Sequence, residues 1–520
     1  MRGLACAVRL GPALRAYDLT ARARVCGRTF VTRGGGSDNF QVDSPSSAAL
    51  KGVRVRYAPS PTGAMHLGGL RTALFNYLFA RRHGGAFILR IEDTDKSREV
   101  PGAAASMLQV LNMCGIRPDE GYSSQHQPLG PYVQSQRLEL YQAAAEQLVT
   151  HGFAYKCYYT QEQVEHYRRT VEAENPGGFV FKLGPASRVL GVDFRRFQTV
   201  GGDDTVPYTI RLHSDAVIAS LTGGYEGEGR TVTHGRHGHA RSADSSPAFV
   251  TVEDLIRGVV RFPADKIDDA VLLKTDGFPS YHLASVVDDT AMRISHVVRG
   301  EEWLPSAPKH VLLYHAMATI KSILEPDAPV PPRPRFAHLP LLLSPTGGKL
   351  SKRHSHGSVQ ALLAAGYEPE ALTGFVGRLG ISYSSDETMS VADMASEFDL
   401  ARVQAGSAQV DADKLNSIQA IHFRSLLTKD PIPDMLVQWV AQDVMEALEA
   451  CAGASMKLAG QRQRQLGKGR RVSWDLVHDA QFIARVMRVT HERVTKRGDF
   501  AREYLYFWWD PPPEILAGDD

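Results

Sequence analysis

Two segments of the chain carry residue types suited to holding a polyphosphate. Pro59 to Gly69 reads PSPTGAMHLGG and separates a β-branched and aromatic run, Val53 to Tyr57, from Leu70, Ala73, Leu74, Tyr77 and Leu78 at helical spacing. Small, rigid residues such as Gly68 let backbone amides approach a bound group. A phosphate at the start of the next helix would meet free N–H groups and the positive end of the dipole. His66 in this segment can donate a hydrogen bond to a phosphate oxygen. The second segment, Lys349-Leu350-Ser351-Lys352-Arg353, follows the glycine-containing stretch Ser344 to Gly348. Its three cations and serine suit a developing polyanionic leaving group. Taken singly, a packed turn accounts for the first segment and a solvated basic loop for the second.

The surrounding pattern is α/β. Val53 to Tyr57 and Ala86 to Ile91 read as strands with one helix between them, a βαβ unit that implies a parallel sheet with a right-handed crossover. Pro101 can begin a further helix through Met107, Leu108, Leu111 and Met113, and Leu138, Tyr141, Ala145 and Leu148 mark another. The pattern degrades from Asn175 to Pro247, and Thr222 to Ser246 is rich in Gly, His, Arg and Ser without apolar periodicity. Ordered patterning returns with Phe249 to Val260, a strand at Ala270 to Lys274, an apolar element from Tyr281 to Val287 that ends in Asp288-Asp289, and a strand at His296 to Arg299. After Lys352 the spacing is mainly helical.

At 520 residues the chain exceeds one ordinary core and divides into several domains. A net charge of +2, with 43% apolar and 22% charged residues, means that any charge directed at a nucleic acid must be local. Five scattered cysteines form neither a disulfide framework nor a C-x-x-C knuckle, so no zinc is expected. No apolar run approaches the roughly 18 residues of a membrane span. The start is Arg-rich and acid-poor: Arg2, Arg9, Arg15, Arg22, Arg24, Arg28 and Arg33 precede Asp38, with Asp18 the one acid among them. That bias is typical of an organellar transit peptide and predicts import into the mitochondrial matrix, a disordered basic arm being the alternative.

Together, and in this order at the two ends of an interrupted α/β region, the phosphate-type segments are far more specific. PSPTGAMHLGG resembles the HIGH signature and KLSKR the KMSKS signature of class I aminoacyl-tRNA synthetases. RIEDTD at Arg90 to Asp95, DEG at Asp119 to Gly121, GPYVQSQRL from Gly130, DGFPSYHLASVVDD from Asp276 and RGEEWLPSAPKHVLLY from Arg299 resemble its glutamyl branch. Gly69 stands where glutaminyl relatives usually keep the second histidine of HIGH. The resemblance covers Val53 to Tyr159 and Phe249 to Gly380.

It implies a Rossmann-type parallel-sheet catalytic domain split by a connective insert and followed by a mainly α-helical C-terminal part. The expected segments are a transit peptide and linker at 1–47, catalytic halves at 51–131 and 281–335, and an acceptor-binding insert at 132–280 with a disordered loop at 222–247. A stem-contact region at 336–425 carries the KLSKR loop, and a helical anticodon-binding domain at 426–520 follows. The resemblance also implies roles for single residues. Arg56 pairs with a glutamate carboxylate beside Tyr57, Ala58 and Ser60, Glu92 takes the substrate ammonium, and Arg299 is a second cation. Tyr281, His282, Leu283, Ala284 and Ser285 line the wall. His66 and Gly68 meet ATP phosphate, Glu302 the adenosine, and Lys349, Leu350, Ser351, Lys352 and Arg353 the pyrophosphate side. His66, Lys349 and Lys352 carry the catalytic effect, Lys352 foremost.

The implied partners are L-glutamate, ATP with Mg2+ and the glutamate tRNA, with the glutamine tRNA left open, in a monomer without membrane contact. Members of this branch typically need bound tRNA to activate glutamate. Two rivals are a catalytically silent RNA-binding paralogue and a relative that glutamylates a modified tRNA base. Much of Phe181 to Pro247 departs from the family's connective sequence, and the chain stops at Asp520 soon after EYLYFWWDPP, earlier than the pattern implies. The basic run Arg462 to Arg471 could meet RNA phosphates or simply be solvated.

Overall fold

The computed structural model describes residues 52–182, 206–221, 249–344, 348, 358–384, 389–458, 474–496 and 498–509. The Arg-rich start, the expected loop 222–247, Lys349 to Arg353 and Arg462 to Arg471 lie outside the described residues.

The first half follows the βαβ reading. Strand β1 (Arg54–Tyr57) leads into helix α1 (Leu67–Arg82), which returns to β2 (Ala86–Leu89). The two strands pair in parallel from Arg54 opposite Ala86 to Tyr57 opposite Leu89. All four β1 residues are buried, as expected of a strand covered on both faces. Helix α2 (Ala103–Met113) then crosses to β3 (Glu120–Gly121) on the far side of β2. That helix starts two residues after Pro101, because Gly102 takes a left-handed φ of 78° at the cap, a conformation that glycine adopts without a Cβ penalty.

The chain continues through α3 (Leu138–Thr150), β4 (Ala154–Cys157), α4 (Gln161–Glu174), β5 (Thr209–Leu212), α5 (Ser214–Leu221), β6 (Phe249–Asp254), β7 (Gly258–Pro263) and β8 (Val271–Leu273). After these come α6 (Tyr281–Ala291), β9 (His296–Gly300), α7 (Ala307–Leu324) and β10 (Arg335–Leu339). Strands β4, β5 and β8 form a small antiparallel sheet, the body of the insert. A second sheet runs β7-β6-β10-β9, parallel except for β7. The main-chain N–H of Ser295 donates to Arg54 O at 2.9 Å, and Arg54 N–H donates to Ser295 Oγ at 2.8 Å. These bonds set the start of β9 beside β1, where the chain order reverses.

Two expected boundaries move. Residues 249–263 were placed in the insert, yet β6 and β7 extend the second sheet; β10 was placed in the stem-contact region, yet pairs with β9 along its whole length. A parallel strand is recognised by its distant partner rather than by its own pattern, which is why the sequence misplaces both.

Beyond β10, β11 (Leu342–Leu343) pairs with β12 (Ala408–Gln409) around the short helices α8 (Val359–Ala364), α9 (Pro369–Gly377) and α10 (Val391–Glu397). These pack on α1 through Leu74, Phe75, Phe375, Met394 and Phe398, all nearly inaccessible. Each such large side chain contributes about 1.5–3 kcal/mol on burial, so α1 is clamped between the sheet and this region. Helix α11 (Ala412–Leu427) is continuous across the boundary expected at 426. Its Leu415 and Ile418 belong to the core around α1, and Phe423 and Leu427 to a separate helical core. That core gathers α12 (Asp434–Leu458), α13 (Trp474–Val477), α14 (Ala480–Thr490), α15 (Gly498–Glu503) and α16 (Tyr506–Trp509). No helix among the described residues is long and apolar enough to cross a membrane.

Candidate active site

A cleft of about 750 Å³ opens beyond the C-terminal ends of β1 and β9, where open parallel sheets place their ligands. It is lined by Arg56, Tyr57, Ala58, Ser60, His66, Gly68, Glu92, Tyr281, Arg299 and Glu302 among others, so two segments 240 residues apart in the sequence meet in it.

One end is wired by buried charges. Arg56 donates from Nε and Nη2 to the carboxylate of Asp289 at 3.0 and 3.3 Å. Arg90 donates from Nη1 to the same carboxylate at 2.7 Å and from Nη2 to Glu92 at 3.1 Å. Asp288 accepts from Arg137 Nε at 2.7 Å, from Gln134 at 2.9 Å and from the Tyr141 hydroxyl. Three guanidinium groups and three carboxylates thus balance in one buried chain, and each charge offsets the cost of burying its neighbour. Burial alone would raise the Asp289 carboxyl, but Arg56 and Arg90 outweigh it and hold the group below its usual range. At Glu92 burial wins against Arg90 and Arg56, and the carboxyl sits above its usual value. Glu92 faces the cleft and is held there by its own N–H, which donates to Pro59 O at 3.0 Å. A substrate ammonium would therefore meet a carboxylate that gains from a cationic partner.

Arg299, only 5% exposed, differs from Arg54, Arg56, Arg90 and Arg137, each of which is paired with a buried carboxylate. Nη1 donates to the Tyr281 hydroxyl at 2.9 Å and lies 3.2 Å from His310 Nδ1; Nη2 donates to Trp303 O at 3.2 Å, and Nε to His338 Nε2 at 3.0 Å. Burial and the Arg299 charge keep His310 far below its ordinary value, hence neutral. Among the described residues Arg299 has no carboxylate within ion-pair distance. A buried guanidinium with neutral partners is a receptor for an anion.

The wall is narrower than expected. Tyr281 lines the cleft with Pro279 and Ser280, but His282, Leu283, Ala284 and Ser285 do not. Leu283 and Ala284 belong to the second core, the Ser285 hydroxyl is buried without a partner, and His282 turns to His310 at 3.2 Å. Helix α6 begins at Tyr281, and the helical turn of about 100° per residue carries the next side chains away from the opening.

The other end of the cleft is built on the start of α1. His66 caps that helix, its Nδ1 accepting from Gly69 N–H at 2.9 Å. This bond assigns the ring proton of the neutral imidazole to Nε2. A Cβ on Gly69 would lie 2.8 Å from the Tyr57 hydroxyl, so a larger residue there would have to displace the end of that side chain. At Gly300 a Cβ would collide with the Glu302 carboxylate, which rests over the backbone at the end of β9. The flanks of the KLSKR segment are fixed here: Val359 N–H donates to Met65 O at 2.8 Å, Met65 N–H donates to Gln360 Oε1 at 3.1 Å, and Ser358 bridges to His66. Lys349, Leu350, Ser351, Lys352 and Arg353 themselves lie outside the described residues.

The sequence reading missed Arg90, Asp288 and Asp289 as the groups that hold this ionic end of the cleft together. Two adjacent acids closing an apolar helical run were the available signal, since such a pair survives burial only with cations. Among the described residues no group of three or more His, Cys, Asp or Glu could hold a metal ion, and Cys114 and Cys157 are buried free thiols.

A split parallel sheet with a cleft at the ends of β1 and β9 defines a Rossmann-like α/β protein. The family model "tRNA synthetases class I (E and Q), catalytic domain" matches residues 52–188 and 239–417. The glutamate–tRNA ligase of Chlorobaculum parvum is 36% identical over 478 residues, covering 88% of this chain and 79% of that protein. That of Flavobacterium johnsoniae is 40% identical over 381 residues, covering 70% and 68%. Among solved structures, the glutamate–tRNA synthetase of Elizabethkingia anophelis superposes with a TM-score of 0.65 at 30% identity, covering 88% of this chain and 81% of that one. A glutamate–tRNA ligase from Elizabethkingia meningosepticum, in complex with its amino acid, gives 0.64 at 29% identity, covering 88% and 80%. The chain belongs to the class I tRNA synthetase family, on its glutamate–tRNA ligase branch.

Proposed function

We propose that the protein activates L-glutamate with ATP and esterifies it to the glutamate tRNA in mitochondria, with the glutamine tRNA as a second acceptor. A glutamate α-carboxylate oxygen attacks the α-phosphorus, forming the acyl–phosphate bond of glutamyl-adenylate as the bond to the β-phosphate breaks and pyrophosphate leaves. A ribose hydroxyl at the tRNA terminus then attacks the acyl carbon, loses its proton and releases AMP. Neither step needs a side-chain nucleophile, so rate comes from alignment and charge stabilisation. In this reading Arg56 and Arg299 hold carboxylates, Glu92 the ammonium, and His66 a phosphate oxygen, while Lys349 and Lys352 stabilise the departing pyrophosphate. Magnesium would accompany ATP as part of that substrate.

The observation that carries the reading is one cleft holding a carboxylate-free buried arginine, a carboxylate raised by burial and a helix start capped by histidine. The Arg-rich, acid-poor first 37 residues support the mitochondrial part. Labelled glutamate offered with glutamate and glutamine tRNA transcripts tests the acceptor range, and charging of the first alone would remove the second. Residues 1–47 fused to a fluorescent reporter test import; a cytosolic signal would contradict it.

A further inference from the structure

The Arg299 guanidinium is held at Nε by His338, and His338 is in turn held by an acid from a different part of the chain. Its Nδ1 lies 2.6 Å from Asp254 Oδ2, and both side chains are fully inaccessible. Asp254 closes β6, beside Phe336 of β10. Its other oxygen, Oδ1, accepts from Ile256 N–H at 3.0 Å and Arg257 N–H at 2.9 Å, which fixes the turn into β7. The ring of His338 stacks on Phe336 with an interplanar angle of 13°. Asp254 has no cation of its own within ion-pair distance among the described residues, apart from this imidazole, because Arg257 pairs with Glu301.

We infer that Asp254 and His338 are positioning residues for Arg299, fixing which edge of its guanidinium faces a substrate carboxylate. An acidic partner at Nδ1 places the imidazole proton there, so Nε2 presents a lone pair to the Arg299 Nε–H. Burial, with Arg299 and Arg257 nearby, keeps His338 below its ordinary value despite Asp254, so the ring stays neutral as this relay requires. With Nε engaged by His338, Nη1 by Tyr281 and His310, and Nη2 by Trp303, the guanidinium plane is held, and one Nη2 N–H is left for an incoming carboxylate. The guanidinium charge is offset by Asp254 only at the distance of one imidazole, too far to compete with a bound carboxylate. The inference rests on the functional reading above and adds the element that aims Arg299.

Asp254→Asn is the first probe. The amide keeps an oxygen for the turn and places an NH2 where Oδ2 stood, which selects the other tautomer and turns Nε2–H against Arg299 Nε–H. Oδ2 also accepts from the His338 main-chain N–H at 3.1 Å, so the unfolding midpoint of the variant is measured beside its KM to separate lost stability from lost aim. Glutamate KM in the charging reaction should rise about ten- to hundredfold, the scale of a hydrogen bond to a charged group, with the KM for ATP and for tRNA unchanged. His338→Phe, which keeps the stack on Phe336, should do the same, and His338→Gln, with an amide oxygen to accept from Arg299, should recover part of the loss. Combined with Arg299→Lys, Asp254→Asn should add little, as expected of groups acting through one another. Charging by the wild type together with an unchanged glutamate KM in Asp254→Asn and His338→Phe, or with full additivity, would overturn the inference. Absence of glutamate charging by the wild type would instead overturn the functional reading.

Discussion

The two ends of the cleft are built on opposite principles. At the end proposed for the amino acid, Arg56, Arg90, Arg137, Glu92, Asp288 and Asp289 form a buried ionic chain whose geometry is set before any substrate arrives. At the end proposed for the nucleotide stand a helix start, an exposed histidine and the flanks of a basic segment, held mainly by backbone bonds. The first arrangement suits a small zwitterion that must be told from near relatives, because a misplaced charge leaves a buried group unpaired. The second suits phosphates, whose charge is large and whose departure requires the contacts to release.

Substitutions should separate the ends. The largest effect is expected from Asp289→Asn, which leaves Arg56 and Arg90 sharing too little negative charge; thermal or denaturant unfolding should show a loss of about 3–5 kcal/mol, and unchanged stability would mean that the ionic chain is not a unit. The same carboxylate, held below its usual range, contributes stability above the unfolded-state value near 3.8 and loses it as pH falls through the lowered one. His66→Ala should lower kcat by roughly 10²–10³-fold, the scale of removing one preorganised donor, with a loss of about 0.5–2 kcal/mol in stability from the missing helix cap and glutamate KM little altered. A parallel rise in glutamate KM would show that the two ends are not independent.

A smaller, pH-dependent effect follows at Glu92. Its carboxyl is raised above 4.5 by burial, and only the ionised form attracts the substrate ammonium. As pH falls, kcat/KM for glutamate should decline from a pH above the ordinary glutamate range, by up to about tenfold per unit. Bound substrate favours the ionised form, so the kcat profile should bend at lower pH. Coincident limbs would remove Glu92 from ammonium recognition. The smallest effect belongs to Arg81→Ala, at the half-exposed pair with Asp119 beyond the opposite edge of the strands; less than about 1 kcal/mol is expected, and a larger loss would blur the contrast between buried and exposed pairs.

Much of this arrangement was legible from residues. The Pro/Gly turn between a strand and a helical pattern located His66 at the start of α1, and the word RIEDTD located Glu92 at the end of β2. Arg56 and Arg299 were identified as cleft cations, but not that Arg56 is already tied to Asp289 while Arg299 has only neutral partners. That distinction depends on α6 and β10, brought in by packing over some 230 residues of sequence. His282 to Ser285 fall outside the cleft lining for a local reason, since a motif word does not state which side of a helix faces the opening. The strands β6 and β10 were assigned to neighbouring domains because a parallel partner leaves no mark on the strand itself. The Asp254–His338 pair carried no sequence signal: one residue ends a hairpin strand, and the other lies 84 positions away.

The most direct test of the central claim is transfer of labelled glutamate to the glutamate tRNA by the purified protein, with AMP and pyrophosphate counted in the same reaction. One AMP and one pyrophosphate per glutamyl-tRNA, with transfer abolished by Lys352→Ala and by Arg299→Ala, is the predicted result. ATP turnover without ester formation, or charging that survives Arg299→Ala, would contradict the account.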